Sequence, residues 1–154
     1  MGSRLLSCLC VVAVFLLAPR LHAQDDRVFK QLTAEETEAF LQSLKIDFKK
    51  TPAKKEGIVY YDFERGGHKM RLYWYNGKDL MLDIVFPRMP LDQINVWNVR
   101  AKFSRAVQVK NADKQSTSLE SQIDCEGGIT DGMIRQFILR FDGEIKTFVQ
   151  FLTK

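Results

Sequence analysis

The sequence predicts an α+β domain, an antiparallel sheet of about five or six strands with N- and C-terminal helices packed on it. Three observations carry that prediction. Apolar and polar residues alternate through much of the stretch from Ile46 to Phe86, the period of strands with one covered face. Gly66-Gly67 and Asn76-Gly77 interrupt that stretch with residues that supply the positive backbone angles of tight hairpins. Near the end, Ile134, Phe137, Ile138, Phe141, Ile145, Phe148, Val149 and Leu152 recur at helical spacing.

The elements follow in the order α-β-β-β(-β)-α-β-β-α. Thr33 with Glu36 three residues later forms a capping box, which satisfies two orphan amides at a helix start. Thr37, Phe40, Leu41 and Leu44 then share one face. Strands are predicted around Ile46 and Phe48, over Gly57 to Glu64, over His68 to Tyr75 and over Leu80 to Phe86, rich in β-branched and aromatic residues. Pro87 and Pro90 end this meander, because neither can donate to a ladder. Leu91 to Ala101 returns to helical spacing with Leu91, Ile94, Trp97 and Ala101 on one side. Two strands follow, Arg105 to Lys110 and Ser116 to Asp124, joined by the polar turn NADKQ, and Thr130 is placed to cap the last helix.

The chain opens MGSRLLSCLCVVAVFLLAPRLHAQDD, a basic residue, an apolar run and a small residue before polar ones, which is the pattern of a secretory signal peptide. The run is shorter than the roughly 20 residues a membrane span needs. We therefore divide the chain into a signal peptide over 1–23, a short polar lead-in over 24–32 and a domain over 33–154. The expectation is an exported, periplasmic or extracellular protein with no membrane association once the signal is cut. Retention of the segment as an anchor is the alternative. A lipidated Cys8 does not fit, since almost no apolar segment precedes it.

Loss of Arg4 and Arg20 lowers the formal charge from +4 to +2. Basic residues are dispersed among acids, which argues against nucleic acid, whose phosphates call for a concentrated basic surface. Cys125 is the one cysteine beyond residue 23, so no internal disulfide is expected there, and the Cys and His clusters of a zinc site are missing. No cofactor or metal is expected.

INVWNVRAKFSRA, residues 94 to 106, resembles the signature of the YbjN-like domain family, proposed bacterial sensory-transduction regulators. In that pattern an Asn-x-Trp-Asn helix leads into an aromatic residue, Arg-Ala and a strand; Asn95, Trp97, Asn98, Phe103, Arg105 and Ala106 fit it. IDCEGGITDGMIRQFI is similar to the family's approach to its last helix through Asp124, Gly127, Gly128, Ile129 and Thr130, and YWYNGKDLMLDIVF is similar to its central hairpin. The resemblance spans residues 33 to 152. It implies a fold like that of type III secretion chaperones, which often dimerise and bind other polypeptides, and no catalytic residues. Some members carry cysteines around the central hairpin; Asn76-Gly77 stands here without one, so redox or metal roles tied to those positions are not implied.

The residues themselves leave few chemical candidates. Trp97 is expected in the core with the Asn95 and Asn98 amides bonded to backbone; sugar or peptide recognition is the functional alternative. His68 begins a strand after a Gly-Gly turn, with no nucleophile elbow or HExxH motif beside it. Asp124, Glu126 and Asp131 lack the EF-hand spacing and complement a helix dipole. Cys125 is expected to be buried and inert, with a reactive thiol as the alternative. Surplus apolar surface is the more informative feature. Tyr61, Tyr73, Tyr75, Met81 and Val85 are expected to share the sheet face opposite the helices, with Leu139 and Phe151 off the main stripe of the last helix, unless the second helix covers that face. The reading is a non-enzymatic, chaperone-like binding or regulatory module that holds a protein partner or forms a homodimer. A small envelope enzyme or ligand-binding protein using Cys125 or His68 is the alternative.

Overall fold

The computed structural model describes residues 27–111 and 114–153; the signal-peptide reading of residues 1–23 lies outside them. The elements are β1 (Val28–Phe29), α1 (Ala34–Ser43), β2 (Phe48–Pro52), β3 (Ile58–Arg65), β4 (His68–Tyr75), β5 (Asp79–Pro87), α2 (Leu91–Arg100), β6 (Arg105–Asn111), β7 (Lys114–Asp124), β8 (Ile129–Thr130) and α3 (Asp131–Leu152). Six strands form one antiparallel sheet in the order β2-β3-β4-β5-β7-β6. The α+β architecture expected from the sequence is the one observed.

Local chemistry sets the element ends. The Thr33 hydroxyl accepts from the Glu36 amide at 3.1 Å and the Glu36 carboxylate accepts from the Thr33 amide at 3.0 Å, completing the capping box. Asn76 at φ 51° and Gly77 at φ 72° turn β4 into β5. Thr130 accepts from the Met133 amide at 3.3 Å and starts α3.

Strand register sorts side chains between two faces. Tyr61 opposes Leu72 and Leu72 opposes Leu82, while Ile84 opposes Leu119 and Leu119 opposes Ala106. All of these are buried. Against this face lie Ile134, Phe137, Ile138, Phe141, Ile145 and Phe148 of α3, the expected stripe. Leu152 ends it at the surface, 37% exposed.

All three helices use that same face. The Trp97 ring of α2 stands 4.8 Å from Phe148, and Phe148 stands 4.9 Å from Phe86, on the inner side of β5. On α1, Ala34 O and Glu38 accept from the Tyr61 hydroxyl at 3.3 Å. The second helix therefore does not cover the opposite face. Within α2, Ile94 and Trp97 are buried as expected, but Leu91 is 60% exposed at the first helical position.

Part of the stretch read as a polar lead-in belongs to the core. Phe29 and Leu32 are buried, and β1 pairs with β8 through Val28↔Thr130 and Phe29↔Ile129. The Leu32 amide donates to Gly77 O at 2.9 Å and Trp74 Nε1 donates to Leu32 O at 2.8 Å. Two-residue strands carry no periodicity, which is why composition hid them.

Candidate functional site

The outer sheet face carries no element among the described residues. Its register brings Tyr60, Tyr73 and Met81 side by side on β3, β4 and β5. Tyr73 packs edge-on against Tyr60 at 5.0 Å and stacks on Tyr75 at 5.9 Å. Toward β6, Val85 is 60% exposed beside the half-buried Val107 and Val109. Between these apolar groups runs an ordered polar network. Arg71 donates to both oxygens of Asp62 at 2.5 and 3.0 Å and lies 4.8 Å over the Tyr60 ring. The Tyr73 and Ser118 hydroxyls both donate to Asp83, the former at 3.0 Å.

Electrostatics follow from these contacts. Burial and then the Asp83 charge push the Tyr73 hydroxyl well above the usual phenol range, and the hydrogen bond to Asp62 holds Arg71 firmly cationic. Arg71 and Asp62 thus neutralise each other, and Asp83 is held by two hydroxyls, beside outward aromatic and aliphatic side chains. A depression of about 720 Å³ on this face is lined by Asp62, Glu64, Lys69, Arg71, Tyr73, Asp83, Val85, Val109 and Ser118, on the side of the β3–β4 hairpin.

Of the surface residues named from sequence, Tyr73, Tyr75, Met81 and Val85 lie on this face. Tyr61 does not. It is fully buried on the helix side, because register with Leu72 puts its neighbour Tyr60 outward instead. Leu139 is 46% exposed on α3, whereas Phe151 is half-buried against Trp97 at 5.7 Å. Period-two reading missed Tyr60, Val107 and Val109; the outward phase of Arg71 and Tyr73 carried across the hairpin is the signal that finds Tyr60.

The Asn-x-Trp-Asn segment is architectural. Trp97 is buried; its Nε1–H finds no acceptor among the described residues. Asn98 bonds backbone at both ends of its amide: Nδ2 donates to Ala106 O at 3.0 Å and Oδ1 accepts from the Ala106 amide at 2.8 Å. β6 is a sheet edge, and Asn98 occupies the position of one residue of a missing neighbour strand, blunting that edge. Asn95 is exposed, on the helix surface. Phe103 is 49% exposed under the Arg140 guanidinium at 4.8 Å, and Arg105 pairs with Glu120 at 3.2 Å. Replacing Asn98 by Ala should cost about 1–3 kcal/mol, since the N–H and C=O of the buried Ala106 both lose their partner. Urea denaturation measures this loss, and light scattering should show more edge-driven association.

His68 and Cys125 do not come together. His68 opens β4, while Cys125 follows Asp124, which pairs with Asp79 across from Tyr75 at the far end of β4. Seven residues of strand separate the two ends, roughly 23 Å. Cys125 is fully buried, and burial, then Asp79 and Asp124, push its thiol up to about 11. The folded state therefore favours the thiol form: its contribution is complete below the ordinary value of 9.0 and is lost as pH rises toward about 11. We expect stability to fall over that window, with iodoacetamide at about pH 8 labelling Cys125 on unfolding and hardly before. Ready alkylation of the native chain would contradict this placement.

The acidic group is held by local contacts. Glu126 pairs with Lys78 at 2.7 Å, Asp124 accepts from the Glu126 amide at 2.7 Å, and Asp131 sits in the first turn of α3. Gly128, at φ 93°, turns the chain toward that helix, with its amide donating to Cys125 O at 3.0 Å.

No protein-family model matches the chain. No curated protein matches it either. Among solved structures, it is similar to YbjN of E. coli, described as a candidate transcription regulator, with a TM-score of 0.62 at 8% identity over 79% of this chain and 90% of that one. An uncharacterized protein from Methanothermobacter thermautotrophicus aligns with a TM-score of 0.52 at 13% identity, covering 79% of this chain and 94% of the other. The chain thus has a YbjN-like fold, and the likeness lies in structure at very low sequence identity.

Proposed function

We propose that this YbjN-like chain is an exported, non-enzymatic binding or regulatory module whose bare sheet face holds a second polypeptide, self-association into a homodimer being its simplest form. The observation that carries this reading is the placement of α1, α2 and α3 on one side of the sheet. The other side keeps Tyr60, Tyr73, Tyr75, Met81 and Val85 outward with their polar neighbours already satisfied. A preorganised aromatic and aliphatic surface loses little entropy on docking. The description of YbjN as a candidate regulator agrees with a binding role and names no chemistry. Export rests on the signal-like N-terminus.

Light scattering on the purified domain tests the proposal, with Val85→Lys as the probe because it sets a cation on the face without touching the core. The expected result is a dimer that Val85→Lys dissociates by about tenfold or more. A monomer that crosslinks to one envelope protein through the same face would also agree. A monomer with no crosslinked partner, or a dimer indifferent to Val85→Lys, would contradict it.

A further inference from the structure

The longest strand of the sheet outruns its neighbour. β7 has 11 residues and β6 has 7, and their pairing ends at Arg105↔Glu120, so Ser121–Asp124 have β5 on one side and no strand on the other. The Ala106 amide and carbonyl point away from β7 to Asn98, which makes Ala106↔Leu119 a non-bonded pair and Arg105↔Glu120 a bonded one. Two residues further on, the same alternation directs the Gln122 N–H and C=O past the end of β6. Such a pair of main-chain groups is a template for another strand.

These groups face a groove of about 770 Å³ between the end of β7, the loop before β6 and the first turns of α3. Ile123 and Phe137 supply an apolar floor, and Phe103 and Met133, each about half exposed, form its rim. Lys102, Arg105, Arg135 and Arg140 line it against one carboxylate, Glu120, which Arg105 already holds. Among the described residues Lys102, Arg135 and Arg140 make no ion pair. The N-terminal end of α3, at Thr130 and Gly132, lies on the same wall and adds to the positive potential.

We propose that this groove is a second binding site, separate from the outer face, for an extended acidic peptide that adds as a short strand alongside Ser121–Asp124. Main-chain bonds to Gln122 supply the pairing, an aliphatic side chain rests on Ile123 and Phe137, and acidic side chains meet Arg135 and Arg140. A chemically matched probe is a fluorescein-labelled peptide of alternating Glu and Val, followed by anisotropy on the purified chain, with an alternating Lys and Val peptide as its counterpart. The acidic peptide should bind saturably at or below millimolar concentration, weaken with salt, and lose about tenfold or more in affinity to the R135E/R140E variant. The Lys peptide should not bind. Bound peptide should slow hydrogen exchange at the Gln122 amide by about tenfold or more, and Gln122→Pro, which removes that donor, should abolish binding. Val85→Lys should leave all of this unchanged, which separates this site from the outer face. No binding of the acidic peptide, equal binding to R135E/R140E, or unaltered Gln122 exchange in the bound state would overturn the proposal, the last by showing anion capture without strand pairing.

Discussion

Gly77→Ala is expected to destabilise the domain by about 3–4 kcal/mol, from a left-handed backbone penalty of about 1 kcal/mol and several lost hydrogen bonds at about 1 kcal/mol each. Gly77 sits at φ 72°, and a Cβ there would stand 2.2 Å from Leu32 O and 2.8 Å from Gln31 Cγ. Nothing at that distance can stay. The segment that would have to move is the one whose Leu32 amide donates to Gly77 O, whose Leu32 carbonyl accepts from Trp74 Nε1, and whose Gln31 side-chain Nε2 donates to Asn76 O at 2.7 Å. Gly66→Ala is the control. Gly66 also has a positive φ, 60°, but beyond its two chain neighbours nothing lies within 4 Å of its added Cβ, so about 1 kcal/mol is expected. Equal urea midpoints for the two variants would show that residues 31–32 do not clamp the β4–β5 turn.

Phe148→Ala should cost about 3–5 kcal/mol, the range for deleting a fully buried aromatic side chain. Phe148 is 0% exposed and meets Phe86 of the sheet, Trp97 of α2 and Phe151 of its own helix at 4.9, 4.8 and 6.3 Å between ring centres. Removing it leaves a cavity where sheet, α2 and α3 meet. The near-ultraviolet signal of Trp97 should change with it, while Leu139→Ala, at a 46% exposed position of the same helix, should stay within about 0.5 kcal/mol. Comparable losses for the two would mean that the helix stripe has been assigned to the wrong side.

Much of this architecture was legible in the residues. β4 spans His68–Tyr75 as the alternation predicts, the Thr33–Glu36 box starts α1, and the apolar stripe from Ile134 names the buried side of α3. Three things were not. Tyr60 and Tyr61 are adjacent aromatics, so alternation alone cannot say which points inward; the pairing of Tyr61 with Leu72 decides it. Spacing within α2 identifies Trp97 as its buried side but not which sheet face receives it; that depends on Phe148, some fifty positions later in the chain. The groove beside Gln122 arises from a mismatch in strand length between β6 and β7, and the arginines that line it look dispersed in sequence because the fold, and no motif, gathers them. Asn98 was half legible: an amide bonded to backbone was expected, and its double contact with Ala106 emerged from the edge position of β6.

The accessibility of the outer face is the most direct test of a bare sheet surface that takes a partner. A single reporter thiol, Val85→Cys in a Cys125→Ser background, can be labelled with maleimide across a dilution series of the purified domain. Labelling should approach the rate of an unhindered thiol at high dilution and slow progressively as the chain, or an envelope extract containing its partner, is concentrated. Slow labelling at every dilution would mean that the chain itself covers this face, and a fast rate indifferent to concentration and extract would mean that nothing binds there.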